Sequence, residues 1–256
     1  MRERRLALHF ALCLTLTACG AARDAETSAA EDAIVGDARA DHERPEVVNL
    51  DVEKDGALFT CTGTLVGRRT VLTARHCILG RVDAAGACPV TALVDRLGRG
   101  TLDPSVERYA ATRCDVRDTG ALLESREDLA TLRLDRAVVG ARPVSLAKSD
   151  APSGRYTVYG YGSFGRGPSI GTRCEHRGDG HKRSAQYVGS LFFRFGQATC
   201  PGDSGGPHFV EGTSVLAGVT SAGGSLLAAY EVNTEVAPHR AWILERIAAY
   251  GDAPAP

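Results

Sequence analysis

Charge of one sign, aromatic residues and long apolar runs are all scarce in this 256-residue sequence. Its formal net charge is −1, and only 6% of its residues are aromatic. The composition therefore gives no support to nucleic-acid binding. Beyond the first twenty residues, no apolar stretch is long enough to span a bilayer as a helix. No Cys-x-x-Cys pair occurs, so a zinc site is disfavoured and no metal is predicted.

The first 19 residues are interpreted as a signal peptide rather than as part of the fold. Three arginines precede an apolar stretch, residues 6–16, that is too short to cross a bilayer. The sequence Leu16-Thr17-Ala18-Cys19-Gly20 resembles a bacterial lipobox, in which Cys19 would be lipidated and begin the mature chain. An ordinary signal-peptidase site near Ala22 is the alternative. Both interpretations predict an exported protein, either a cell-envelope lipoprotein or a secreted one.

The rest of the sequence divides into a short polar segment and one long β-rich region. Residues 20–33 are small and polar, which predicts a pro-segment or tether. From Ile34, short apolar or alternating runs are separated by turn residues at the spacing of an all-β sandwich or barrel. One helix is predicted, from about Pro238 to Tyr250, where apolar residues form a single stripe. The stretch around residue 125 is expected to be a loop leading into a strand.

Six cysteines remain outside the leader, which contains Cys13 and Cys19. Export places them in an oxidising compartment, where an even number fits three disulfides. Counting alone permits 15 ways of pairing six cysteines. The six are Cys61, Cys77, Cys88, Cys114, Cys174 and Cys200.

The segment Cys-Pro-Gly-Asp-Ser-Gly-Gly-Pro, residues 200–207, contains a candidate nucleophile, Ser204. A serine hydroxyl reacts only when a base takes its proton and donors stabilise the developing oxyanion. Glycines beside it let the backbone approach a substrate carbonyl closely. The base is expected to be His76, which ends the β-like run Val-Leu-Thr-Ala-Arg-His. The carboxylate that orients it is expected to be Asp128, just before an alternating strand.

In the order His, Asp, Ser, these segments resemble the chymotrypsin/trypsin serine-protease family. His76 stands in the place of the family's TAAHC motif, Asp128 in that of its DIALL motif, and Ser204 in its GDSGGP motif. The resemblance runs over residues 34–250. It implies that the protein is a serine endopeptidase that hydrolyses protein or peptide substrates. It also implies that the protein is a monomer and needs no cofactor.

The resemblance also implies the fold and the position of the site within it. The expected fold is all-β, with two antiparallel six-stranded Greek-key barrels over about 34–145 and 146–250 and a C-terminal α-helix. The catalytic triad would lie in the cleft between the barrels. The first barrel would supply the histidine and the aspartate, and the second would supply the serine.

Each catalytic role then follows from a matching position. Ser204 would be acylated, His76 would act as general base and acid, and Asp128 would hold the histidine tautomer. The backbone N–H groups of Gly202 and Ser204 would form the oxyanion hole. Ser221 matches the family serine that supports the triad aspartate, and the strand that continues from it would bind the substrate backbone.

A zymogen is implied by a second family feature. Ile34-Val35-Gly36-Asp37 resembles the N-terminus that family zymogens gain on activation, and a freed Ile34 ammonium would pair with Asp203. Ala33 precedes the cut, so the activating protease is not expected to be trypsin-like. If Cys19 is lipidated, the same cut would also release the domain from its membrane tether.

The cysteine pairs follow the resemblance only in part. It implies a Cys61–Cys77 bridge beside the histidine. Cys200 precedes the GDSGG string as in the family, but no cysteine follows it to serve as the usual partner. Cys174–Cys200 and Cys88–Cys114 are the remaining predicted pairs, and other pairings of those four stay open.

Three positions depart from the family near the site. Arg75 replaces a small residue and would either bring a cation near the site or project into solvent. Pro201 removes a backbone donor and stiffens the nucleophile loop, meaning residues 200–206 around Ser204. Ala222 replaces a large aromatic residue, so the neighbouring subsite should be less apolar. None of these substitutions deletes a catalytic group.

The substrate pocket is expected to involve Ala198, Ser221, Gly223 and Glu231. Ala198 stands where trypsin-like members have Asp, so that route to a Lys or Arg preference is unsupported. Glu231 stands at a pocket-wall position that is usually Gly. Its carboxylate could receive a basic side chain, narrow the pocket to small or medium apolar residues, or point to solvent.

A different class of function remains as an alternative. The protein could be a binding module that keeps the protease fold without turnover, disabled by Arg75, by Pro201 or by an unprocessed N-terminus. A complete triad argues against this alternative. An esterase is disfavoured because Gly-Asp-Ser-Gly-Gly lacks the Gly-x-Ser-x-Gly spacing.

Overall fold

The computed structural model describes residues 43–80, 88–117, 125–150, 153–163, 174, 177–195, 199–224 and 230–255. Both barrels and the C-terminal helix fall within these ranges. The predicted signal peptide, the predicted lipidation site Cys19, the predicted pro-segment 20–33 and Ile34 lie outside them. None of the helices described is long and apolar enough to cross a membrane.

The first barrel is a closed antiparallel sheet in the strand order β1-β2-β3-β6-β5-β4. Its strands are β1 (Val47–Lys54), β2 (Ala57–Leu65), β3 (Thr70–Thr73), β4 (Val90–Val94), β5 (Glu107–Val116) and β6 (Ala130–Leu134). A four-residue helix, α1 (Arg75–Ile78), follows β3. The stretch around residue 125 contains one 3₁₀ turn, Ser125–Glu127, directly before β6.

The second barrel has six antiparallel strands in the order β10-β13-β12-β11-β8-β9. A short strand, β7, pairs in parallel with β12 at the start of this half. The strands are β7 (Ser145–Leu146), β8 (Ser153–Gly160), β9 (Arg183–Ser190), β10 (Phe193–Phe195), β11 (Pro207–Val210), β12 (Val215–Gly224) and β13 (Tyr230–Glu235). The two-barrel architecture predicted from the sequence is confirmed.

Alternation along β1 shows how one strand contributes to two cores. Val48, Leu50 and Val52 point into the first barrel and are fully buried. Val47, on the opposite face, belongs to a second core between the barrels. The side chain of Phe209 on β11 reaches that core from the other half. The barrels are therefore joined by a continuous apolar layer, which fixes the position of the cleft.

The C-terminal helix closes this inter-barrel layer. It is α2 (Arg240–Ala249), preceded by a 3₁₀ turn at Ala237–His239. Ile243 and Ile247 are fully buried in the core between the barrels. The predicted helix is therefore present and begins two residues after Pro238.

Three disulfides link the six cysteines in the pairs given above: Cys61–Cys77, Cys88–Cys114 and Cys174–Cys200. The first two lie within the first barrel. The third joins the segment before β9 to the loop before β11.

Candidate active site

His76 and Asp128 meet at the rim of the first barrel. Nδ1 of His76 lies 2.7 Å from Oδ2 of Asp128, and the backbone N–H of His76 donates to Oδ1 at 2.8 Å. Because a carboxylate can only accept, Nδ1 is the nitrogen that carries the hydrogen in the neutral ring, and Nε2 is then the one with the lone pair. The His76 side chain is 45% exposed and that of Asp128 is 12% exposed, so the basic nitrogen belongs to a ring that solvent reaches.

The strand β12 supplies a third partner to this pair. Its register against β13 shifts between Thr220 and Ala222, leaving Ser221 at a β-bulge. The hydroxyl of Ser221 donates to Oδ2 of Asp128 at 2.7 Å. Burial opposes the ionisation of Asp128, but the hydrogen bonds from His76 and Ser221 outweigh it and lower its pKa. The carboxylate is therefore held charged beside the imidazole.

The loop that contains Ser204 is held from both barrels. From the first barrel, the backbone N–H of Thr62 donates to the Ser204 carbonyl oxygen at 2.8 Å, and its hydroxyl donates to the Gly202 carbonyl oxygen at 2.9 Å. From the second barrel, the carbonyl oxygen of Thr220 accepts from Gly205 N–H at 2.8 Å. These bonds fix the main chain on both sides of Ser204.

Gly205 is required by close packing. Its φ is +84°, and an added Cβ would lie 2.1 Å from Oγ1 of Thr73 and 2.3 Å from the Thr62 carbonyl oxygen. Neither distance is tolerable, so a side chain here would push the nucleophile loop away from the first barrel. Gly202, whose backbone N–H is a predicted oxyanion donor, also has a positive φ of +102°.

Asp203 turns away from solvent beneath the loop. Its carboxylate is fully buried and accepts backbone N–H bonds from Gly162 and Cys200, each at 2.7 Å. Burial raises its pKa to about 7 despite these bonds. The predicted partner of this carboxylate, Ile34, lies outside the described residues.

The predicted pocket residues are only partly brought together. Ser221 and Gly223 lie on β12, whereas Ala198 is outside the described residues. Glu231 is fully buried on β13 and accepts a hydrogen bond from Nδ2 of Asn233 at 3.1 Å. The alternative in which Glu231 points to solvent is therefore wrong.

The three departures near the site have different surroundings. Arg75 is buried, at 9% exposure, so the expectation that it could project into solvent is wrong. Pro201 is exposed, and its carbonyl oxygen accepts from Ser163 N–H at 2.8 Å. Ala222 is exposed on β12.

Sequence reasoning missed the anchoring role of Thr62 and a group of buried polar residues around His208. Thr62 follows a cysteine on a strand, and nothing in that pattern distinguishes it from its neighbours. His208 comes four residues after Ser204 and is fully buried. Among the residues that the structure describes, no cluster of His, Cys, Asp and Glu could hold a metal ion.

Comparison with known proteins supports one family. The trypsin family model matches residues 33–243. Trypsin II-P29 of Gallus gallus is 29% identical over 93% of this chain and 99% of its own length. Granzyme M of Rattus norvegicus is 28% identical over 83% and 88%. Serine protease SP24D of Anopheles gambiae is 27% identical over 59% of each chain.

Solved structures of similar fold include one named as a serine protease and one named as an inactivated protease paralogue. Mouse neuropsin, a serine protease, matches with a TM-score of 0.61 at 20% identity, over 83% of this chain and all of its own. A scabies mite inactivated protease paralogue matches with a TM-score of 0.63 at 19% identity, over 84% and 99%. These identities support the fold alone. The family match over residues 33–243 shows that the chain belongs to the trypsin-like serine proteases.

Proposed function

We propose that this protein is a serine endopeptidase that cleaves peptide bonds through an acyl-enzyme on Ser204. The observation that carries the proposal is the hydrogen-bonded series His76–Asp128–Ser221, which spans both barrels. It orients the imidazole with Nδ1 on Asp128 and Nε2 available, at the rim of the cleft where the Ser204 loop is docked on Thr62.

The chemistry follows from these positions. His76 Nε2 takes the proton of the Ser204 hydroxyl as its oxygen attacks the substrate carbonyl carbon. The backbone N–H groups of Gly202 and Ser204 stabilise the resulting oxyanion. His76 then protonates the leaving amine, and a water activated by the same nitrogen hydrolyses the ester. Asp128 stays ionised throughout and stabilises the imidazolium.

Activation by cleavage before Ile34 is part of the proposal. A fully buried carboxylate is unfavourable unless a cation compensates it. Asp203 is such a group, and a new α-ammonium at Ile34 would supply the positive charge. The loop from Cys200 to Ser204 contains both Asp203 and the oxyanion donors, so this pair would set their geometry.

We further propose that the pocket selects small or medium apolar side chains over Lys and Arg. Ala198 brings no carboxylate to the pocket. The Glu231 carboxylate is enclosed and already accepts from Asn233, so a substrate cation would have to displace that bond. Profiling with peptide libraries tests this preference, and dominant cleavage after Lys or Arg would contradict it.

Export is also part of the proposal. Three disulfides suit an oxidising compartment, and the leader sequence directs the chain there. The protein would act as a monomer, tethered through a lipid on Cys19 until an activating protease cuts before Ile34, or freely secreted.

One alternative has a specific observation in its favour. The scabies mite paralogue is named as inactivated and shares the fold, so the fold persists where catalysis has been lost. By the same reasoning, this chain would keep the protease fold without turnover if it were a non-catalytic binding module. The bonded His76–Asp128 pair, the supporting Ser221 and the retained Ser204 favour the enzyme.

Intact mass after treatment with a fluorophosphonate separates the two functions. Protein cut to begin at Ile34 is expected to gain one adduct per molecule, and the Ser204→Ala variant none. A folded, cut protein that stays unmodified would favour the binding module.

A further inference from the structure

The interior of the second barrel is polar directly behind the nucleophile loop. His208 on β11, Thr220 on β12, and Glu231 and Asn233 on β13 are each at most 3% exposed, and Tyr187 on β9 is 9% exposed. The proposed mechanism uses none of their side chains. A buried polar group costs free energy unless it is hydrogen-bonded, so the group requires an explanation.

His208 lies at the centre of this group and contacts three of its members. Its Nδ1 lies 2.8 Å from the Tyr187 hydroxyl, and its Nε2 lies 3.0 Å from Oγ1 of Thr220. Oε1 of Glu231 lies 3.5 Å from the same Nε2. The imidazole, itself on β11, therefore contacts residues of three other strands of the barrel: β9, β12 and β13.

Burial and the neighbouring polar groups determine the protonation state and the tautomer of the His208 ring. Burial, helped by the charge of Arg194, lowers the pKa of His208 to about 3, so the ring is neutral. Burial also raises the pKa of Tyr187, so its hydroxyl keeps a proton, which it donates to Nδ1 when the ring hydrogen is on Nε2. Nε2 then carries the hydrogen, which faces Thr220 and the Glu231 carboxylate. Oε1 of Glu231, which already accepts from Nδ2 of Asn233, faces Nε2 as a further acceptor and so favours this tautomer.

Thr220 connects the ring to the site. Its carbonyl oxygen accepts from Gly205 N–H, and its own N–H donates to the Gly206 carbonyl oxygen at 2.9 Å. The next residue, Ser221, stands at the bulge and donates to Asp128. The nucleophile loop and the support of Asp128 therefore both depend on the position of Thr220.

We propose that His208 is a positioning residue for the active site. In the tautomer favoured by Glu231, its Nε2–H donates to Oγ1 of Thr220 from the barrel interior. This bond fixes the positions of the Ser221 bulge and of the two glycines after Ser204. The arrangement parallels Asp128 and His76, in that a carboxylate selects the tautomer of an imidazole. This inference deepens the proposed function, and its effect on rate rests on that function.

Two substitutions distinguish the roles of the two ring nitrogens of His208. The amide group of Gln reaches about as far as Nε2 and that of Asn about as far as Nδ1. His208→Gln can therefore keep the donor to Thr220, and His208→Asn can keep only the acceptor for Tyr187. Tyr187→Phe is the matched control, since it removes one bond of the ring without touching Nε2.

In the cut protein, His208→Asn is expected to lower kcat by about 100-fold, the scale expected for a displacement of about 1 Å at reacting atoms. KM should change less. The kcat of His208→Gln should be at least about tenfold higher than that of His208→Asn. Rates are expressed per folded molecule, with thermal melting measured in parallel, because all three variants can lose stability.

The second readout needs no turnover. The Nδ1 proton of His76, in its 2.7 Å bond to Asp128, should give a strongly downfield proton NMR signal. His208→Asn should shift or broaden this signal, whereas His208→Gln and Tyr187→Phe should leave it in place. Equal effects of Asn and Gln on the signal, or an unmoved signal in His208→Asn, would overturn the proposal. A wild-type protein without fluorophosphonate adduct would defeat the proposed function, and the NMR comparison would still decide the role of His208.

Discussion

Thr62, on a strand of the first barrel, donates its backbone N–H to the carbonyl oxygen of Ser204, on a loop of the second, at 2.8 Å. The Thr62 hydroxyl donates to the Gly202 carbonyl oxygen and accepts from Tyr161 N–H at 3.1 Å. One residue of β2 therefore holds both ends of the segment that would form the oxyanion hole. The cleft contains a direct bond between the two halves, as well as the apolar layer below it.

Thr62→Val should impair catalysis even though valine and threonine have nearly the same size. The substitution keeps the shape and the backbone bond but leaves the Gly202 carbonyl oxygen and Tyr161 N–H without the hydroxyl. A lost hydrogen bond to a buried group costs about 1–3 kcal/mol. We expect a loss of that size in the free energy of unfolding and about a tenfold or greater loss in kcat. Denaturant unfolding and steady-state kinetics measure both.

Thr64 provides the matched control for this variant. It lies on the same strand and is fully buried, and its hydroxyl oxygen has no hydrogen-bond partner within the described part of the chain. Thr64→Val should therefore be neutral or slightly stabilising and should leave kcat unchanged. If the two variants behaved alike, the anchoring role of Thr62 would be refuted.

Ser221→Ala should weaken the triad without unfolding the protein. The variant removes the donor to Oδ2 of Asp128, so the pKa of that carboxyl should rise towards its ordinary value. A group whose folded pKa is lowered stabilises the fold above its unfolded pKa, and this stability is lost as the pH falls. The variant should therefore lose less stability than the wild type on acidification, and its kcat should fall.

Ser214→Ala is a suitable comparison, because the Ser214 hydroxyl accepts from Arg44 at the surface, away from Asp128. It should leave both the kinetics and the acid dependence of stability unchanged. Coincident acid unfolding curves for wild type and Ser221→Ala would argue that the hydroxyl does not tune Asp128.

The sequence motifs locate His76, Asp128 and Ser204 because backbone geometry and chemistry restrict what can stand beside each. The same reasoning fails inside the second barrel. There, His208 and Glu231 lie within strands, and a polar residue in a strand ordinarily indicates a solvent-facing position. Only the register of three strands shows that these side chains face one another. The sequence also left the exposure of Arg75 undecided, because the exposure of a long side chain depends on neighbours from distant segments.

The uncut chain should lose stability as the pH rises from about 4 to about 7. Burial raises the pKa of Asp203 to about 7 from an ordinary 3.8, so the folded protein binds more protons than the unfolded chain in this window. Stability is then highest below the unfolded pKa and falls until the folded pKa is passed. Denaturant unfolding of Ser204→Ala protein, chosen to prevent self-cleavage, measures this at several pH values.

Cleavage before Ile34 should remove this pH dependence, because the new ammonium would pair with the ionised Asp203. The cut and uncut forms should therefore have similar stability near pH 4 and diverge at pH 7. Parallel curves across the range would show that the ammonium does not reach this carboxylate.

Tyr250→Phe should destabilise the fold and leave catalysis unchanged. The Tyr250 hydroxyl, at the end of α2, donates to Oδ2 of Asp115 at 2.6 Å and lies 3.0 Å from Oγ1 of Thr131. Burial raises the pKa of Tyr250, so the hydroxyl remains a donor. Its loss should lower the free energy of unfolding by about 1–3 kcal/mol. An altered kcat/KM in folded protein would show that α2 influences the cleft.

All three disulfides close loops within a single half of the molecule, and none among the described residues crosses between the barrels. A break in the connecting segment before β7 would therefore leave two oxidised fragments held by the apolar layer, by Thr62 and by α2. Separately produced halves could be mixed to regenerate a complete cleft. In such a pair, His76 and Asp128 would come from one fragment and Ser204 from the other, and activity would depend on the concentration of both.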